Sequence, residues 1–135
     1  MSDKEPKRAY IYVYTAQTRS PDVDRQVLAC RAVAFANDLA IVKTEIDGGR
    51  SGQNMIGRDG LARVLKAAEA GEFDTLIIES VDRFGGDAHV SASILVRLQM
   101  YRIQLVTADG GVVSLEETAV SMVEGAGAFQ RQGRQ

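Results

Sequence analysis

Residues 9–15, AYIYVYT, carry β-branched or aromatic side chains at five consecutive positions, Tyr10, Ile11, Tyr12, Val13 and Tyr14. A strand with one face in water alternates apolar with polar, whereas a strand covered on both faces does not. This run therefore predicts a strand between two layers of other structure. The signals around it supply those layers. Pro21, followed by Asp22 and Asp24, marks a helix start, and Val23, Val27, Cys30 and Ala34 keep helical spacing up to about Asn37. Leu39 to Ile46 reads as a second strand, and Asp47 to Gly60, DGGRSGQNMIGRDG, as a glycine-rich loop of the length that is usually functional.

The same alternation continues downstream. Leu61, Val64, Leu65 and Ala68 form an i, i+3, i+4, i+7 stripe that Gly71 stops. Thr75 to Ile78, TLII, has the all-apolar pattern of a central parallel strand, and SVDRFGGD follows it as a loop. A third helix is predicted from Ala88 to Tyr101, with Ile94, Leu95, Leu98 and Tyr101 on one side. Ile103 to Thr107 supplies the next strand, and ADGG turns toward a short fifth strand at Val112 and Val113. Ser114-Leu115-Glu116-Glu117 fits the capping box S-x-x-E, opening a helix whose apolar face is Ala119, Met122, Val123, Ala126 and Phe129. Strands alternating with helices predict an α/β fold in three layers, with a mainly parallel sheet of four to five strands, right-handed crossovers and a C-terminal helix. The expected organisation is a structureless leader at 1–8, an α/β unit at 9–113 and a helix at 114–135.

Composition narrows the function classes. The 45% apolar and 25% charged content is that of a globular domain, and no segment approaches the roughly 20 apolar residues of a membrane span. No apolar signal stretch follows MSDKEPKR, and Cys30 is the only cysteine, so a reducing cytoplasm is the expected setting. Sixteen basic against eighteen acidic residues give a net charge of -2, so the molecule as a whole has no field that gathers phosphates. His89 is the only histidine and has no second histidine or a cysteine near it in sequence; neither metal nor cofactor is expected.

In a parallel α/β sheet the working loops lie at the carboxyl ends of the strands. That rule selects TAQTRSPD, DGGRSGQNMIGRDG and SVDRFGGD, which should meet at one rim. Those segments, in this order, resemble the catalytic domain of the resolvase/invertase serine recombinases, over about Ala9 to Arg131. The family pattern is Tyr-x-Arg-x-Ser-Thr on the first strand, a glutamine in the first helix, Ser-Gly with an arginine several residues on, and Asp-Arg-x-Gly-Arg after the third strand. Here the corresponding stretches are YIYVYT, Gln26, SGQNMIGR with Arg58, and DRFGG with Asp82 and Arg83. The resemblance implies a Rossmann-like fold and, for an intact member, site-specific DNA strand exchange. In that reaction a serine hydroxyl attacks a phosphodiester while arginines neutralise the phosphate oxygens without a metal.

The chain departs from the pattern at the centre of that chemistry. Tyr14 stands at the serine position, Tyr12 at the strand-1 arginine and Gly86 at the last arginine, leaving Arg58 and Arg83 of the cluster. Since one lost transition-state donor typically costs about 10²- to 10³-fold in rate, a catalytically inactive domain acting through protein contacts is expected. Two other readings stay open: a recombinase that uses Tyr14 as an unconventional nucleophile, and a weak nucleic-acid binder using Arg50, Arg58, Arg83 and a stacking ladder of Tyr10, Tyr12 and Tyr14. Thr15 points to the opposite face of its strand and Ser20 lies in a loop, so neither replaces the serine. The plainer alternatives are a solvated Arg58 beside a helix start, a local Asp82–Arg83 ion pair and tyrosines that only fill the core.

The resemblance also implies a dimer contact through the last helix and a helix-turn-helix reader beyond it. In 1–135 no such reader is read, so DNA recognition in that manner is not expected here. Met122, Val123, Ala126 and Phe129 are the expected dimer or partner face, for a second copy or a related recombinase. Gly125 and Gly127, each costing about 1 kcal/mol inside a helix, would fray that end without a partner.

Overall fold

The computed structural model describes residues 7–15, 21–48, 58–84 and 88–133, with backbone alone for Pro21, Asp82, Arg83 and residues 125–133. In chain order the elements are β1 (Arg8–Thr15), α1 (Pro21–Ala36), β2 (Ala40–Gly48), α2 (Asp59–Glu69), β3 (Thr75–Ile78), a 3-10 turn (Val81–Phe84), α3 (Ala88–Met100), β4 (Gln104–Thr107), β5 (Gly111–Val113) and α4 (Leu115–Gly133). The strands form one sheet in the order β2-β1-β3-β4-β5. Its first four members run parallel and β5 closes the edge antiparallel to β4.

The unbroken apolar character of β1 follows from this order. Ala9, Ile11 and Val13 pack with Cys30 and Ala34 of α1 on one face of the sheet. Tyr10 and Tyr12 pack on the other with Leu61, Val64 and Leu65 of α2, Ile94, Leu95 and Leu98 of α3, and Ala119 of α4. Both faces are dry, so neither tolerates a polar alternate. The result is the expected three-layer α/β architecture. Gly71, one residue beyond the C-cap of α2, has φ +74°, the left-handed conformation that ends a helix and that glycine adopts most easily.

Several expectations are corrected. Strand β2 runs to Gly48 rather than Ile46, because its parallel register with β1 continues through Tyr14 opposite Asp47 and Thr15 opposite Gly48. The ladder to a long neighbour overrides the turn preference of Asp-Gly. Helix α2 starts at Asp59, two residues before its apolar stripe. Two tyrosines of the ladder are core: Tyr10 stacks on Phe73 at 4.2 Å between centroids and Tyr12 is fully buried, while Tyr14 is half-buried against them. Of the proposed partner face, Met122 leans on the chain's own core and Val123 is exposed, while the side chains of Ala126 and Phe129 lie outside the described residues. Among the described residues no helix is long and apolar enough to cross a membrane.

Candidate active site

The carboxyl end of β1 brings Tyr12 and Tyr14 to the side of the sheet covered by α2. Asp47, the last residue but one of β2, lies beside them opposite Tyr14, and its carboxylate is buried. Arg58, at the N-cap of α2, makes no side-chain cap hydrogen bond. Asp47 caps the helix from the sheet, accepting hydrogen bonds from the backbone N–H of Gly60 at 2.7 Å and of Leu61 at 2.8 Å. A carboxylate on orphan N–H groups at the positive end of a helix is favourable twice over. The approach requires glycine: a Cβ at residue 60 would stand 2.7 Å from Asp47 Oδ1, and that oxygen is held in place by the N–H it accepts from.

The remaining lone pairs of Asp47 receive Tyr12, whose hydroxyl donates to Oδ2 at 2.8 Å. Arg58, the residue before α2, in turn donates to the Tyr12 oxygen from Nη2 at 2.8 Å and from Nε at 3.3 Å. Its Nη1 donates to the carbonyl of Phe84 in the 3-10 turn after β3. The guanidinium carbon lies 4.6 Å from the centroid of the Tyr14 ring and 5.7 Å from that of Tyr12. Only 1% of Arg58 is exposed. The alternative of a solvated Arg58 beside a helix start is therefore overturned, and the reason is local: a phenol, a main-chain carbonyl and two ring faces replace its water. Its charge is balanced through the Tyr12 hydroxyl by Asp47, so a guanidinium and a carboxylate share one buried hydrogen-bonded chain.

Burial pushes the Tyr12 phenol far above its ordinary value near 10, against a smaller opposing pull from the Arg58 hydrogen bond and charge, with Asp47 adding to the rise. Tyr12 stays protonated, as its donated bond to Asp47 requires.

Gln26 of α1, wholly buried, donates from Nε2 to the carbonyl of Tyr14 at 3.0 Å and to Asp22 Oδ2 at 2.8 Å, fixing the end of β1 against the helix that follows. Beside it Arg25 pairs with Asp22 and with Glu79, just past β3. Cys30 lies deeper in α1, its thiol pushed up to about 12 by burial and by Glu79, and is inert at ordinary pH.

Tyr12, Tyr14, Gln26 and Arg58 thus meet at one rim. Asp82 and Arg83 belong to the 3-10 turn that contacts Arg58 through Phe84, but their side chains lie outside the described residues, as do Arg50, Ser20 and Gly86 altogether. Thr15 is buried on the opposite face from Tyr14. Among the described residues no group of three or more His, Cys, Asp or Glu could hold a metal ion. Asp47 and Glu79 were not among the expected site residues. A lone acid directly after an apolar strand, preceding a helix, was the available signal for each, and Asp-Gly-Gly disguised the first as a turn.

A sheet of five strands in the order β2-β1-β3-β4-β5, parallel except for β5 and layered with helices, is the fold of several solved serine recombinase catalytic domains. The N-terminal catalytic domain of TP901-1 integrase matches with a TM-score of 0.75 at 18% identity, over 96% of this chain and all of that one. A resolvase family site-specific recombinase from Streptococcus pneumoniae also gives 0.75, at 22% identity, over 94% of this chain and 89% of that one. The C-terminal catalytic domain of ISC1926 TnpA, an IS607-like serine recombinase, gives 0.67 at 24% identity, over 75% and 70% of the two chains. These likenesses establish the fold. The family model for the resolvase N-terminal domain matches residues 9–135, and the chain belongs to that family. A comparison with curated proteins finds no match.

Proposed function

We propose that this is a resolvase-family domain that does not cleave DNA and acts through protein contacts, as a homodimer or beside a related recombinase, in DNA recombination or its regulation. The observation that carries the reading is the state of Arg58. Phosphoryl transfer of the family's kind needs a free hydroxyl and guanidinium groups that face a phosphate. Here the arginine is 1% exposed and bound to the Tyr12 hydroxyl and the Phe84 carbonyl, beneath the Tyr14 ring. Presenting it to DNA would break those bonds and strip the Asp47–Tyr12 pair of its cation, leaving buried polar groups without partners. Tyr12 fills the place of a positive residue with a neutral one. The reading places the protein in the cytoplasm, where its one cysteine stays reduced and buried.

The binder reading loses ground on the same observation, because Arg58 is withdrawn from the surface it would need. The experiment is incubation with nicked suicide substrates carrying resolvase-type sites. The expected result is no covalent protein–DNA adduct. An adduct that disappears in Tyr14→Phe would establish a tyrosine-nucleophile recombinase instead.

A further inference from the structure

Strand β2 is the longest strand of the sheet, nine residues, and lies at its edge. Among the described residues it pairs with β1 alone, so a full side of its backbone is offered to another strand. Natural edges are usually short, or are blunted by charge. This one exposes three β-branched apolar side chains: Ile41 at 38%, Val42 at 52% and Ile46 at 46%. Its only cation, Lys43, is neutralised by Glu45 of the same strand at 3.2 Å, and Glu45 is held from the other side by Arg63. The usual deterrent is therefore cancelled from within.

We infer that β2 pairs antiparallel with β2 of a second copy about a twofold axis at Thr44, joining two sheets into one. The occupant is argued from charge. Faces match across such an axis only when opposing residue numbers sum to an even value. With Thr44 facing itself, Lys43 of each copy stands opposite Glu45 of the other. Shifting the axis by one residue toward the amino end sets Lys43 against its own counterpart, and toward the carboxyl end sets Glu45 against its own. Directly opposed like charges disfavour both alternatives. The register shift between Ala9 and Tyr10 in the β1 ladder makes Val42 an inserted residue, which limits the regular pairing about Thr44 to residues 43–45, with Val42 and Ile46 at its ends. The self-association holds whether or not the Arg58 site is silent.

Opposed residues of an antiparallel pair have Cα atoms about 4.5–5.5 Å apart, within disulfide reach. Under mild oxidation Thr44→Cys should therefore form a covalent dimer. The wild type should not, because Cys30 is buried. Ile46→Lys should move the sedimentation mass of the full chain from that of a dimer to that of the 14.6 kDa monomer, with its circular dichroism retained. A wild type that stays monomeric at every attainable concentration would overturn the inference. So would a dimer that is indifferent to Ile46→Lys and is trapped by Val123→Cys on α4 but not by Thr44→Cys. If Ile46→Lys does not fold, the Thr44→Cys result decides.

Discussion

The hydroxyl of Tyr12 stands between a carboxylate and a guanidinium, donating to Asp47 and accepting from Arg58. Removing it leaves both charged partners buried with a bond missing, a loss of about 1–3 kcal/mol. Tyr12→Phe should lower the midpoint of urea unfolding by that amount without changing the slope, since the same surface is exposed on unfolding. An unchanged midpoint would mean that water already serves Arg58 and Asp47. At this scale the sequence was legible in part. Tyrosines at positions 12 and 14 could be read directly, but not what they bind. Nothing in the order of residues shows that a phenol from β1 would accept the hydrogen bonds of an arginine 46 positions away. Asp47 went unnoticed for the same reason, as its partners are a tyrosine on the neighbouring strand and the N–H groups of a helix beyond a long connection.

Among the elements, β2 and α2 are tied by the buried Glu45, which Arg63 holds through Nε and Nη2 and which Lys43 also reaches. Burial tends to raise this carboxyl, but the hydrogen bonds from Arg63 and Lys43 outweigh it, and the net effect holds it below the ordinary value near 4.5. The unfolded chain therefore binds the proton first as pH falls. Stability from this carboxylate is complete above about pH 4.5 and is lost as pH drops through the lower folded value. Urea midpoints measured down a pH series should fall in the wild type over that window, and more shallowly in Glu45→Gln. Identical slopes would show that other carboxylates carry the acid sensitivity. Elements were the most readable level of all. Dry strands and amphipathic helices leave periodic patterns, whereas the ends of β2 and α2 were misplaced because pairing with β1 and capping by Asp47 are long-range effects that local turn residues do not encode.

Over the whole molecule, the order of strands and helices placed the carboxyl ends of β1, β2 and β3 on one rim, and the fold is that of the recombinase domains the sequence resembles. What that resemblance could not supply is whether the rim is open. On the proposed reading it is closed, with the cation inside it committed to Tyr12, Phe84 and Tyr14. The most direct measurement is the side-chain N–H signal of Arg58 by nuclear magnetic resonance, identified by its loss in Arg58→Lys, during titration with inorganic phosphate. A closed site predicts a slowly exchanging Nε–H that does not move as phosphate is added. A signal that exchanges fast and shifts to saturation would show a guanidinium facing solvent and gripping the anion, and would contradict the account.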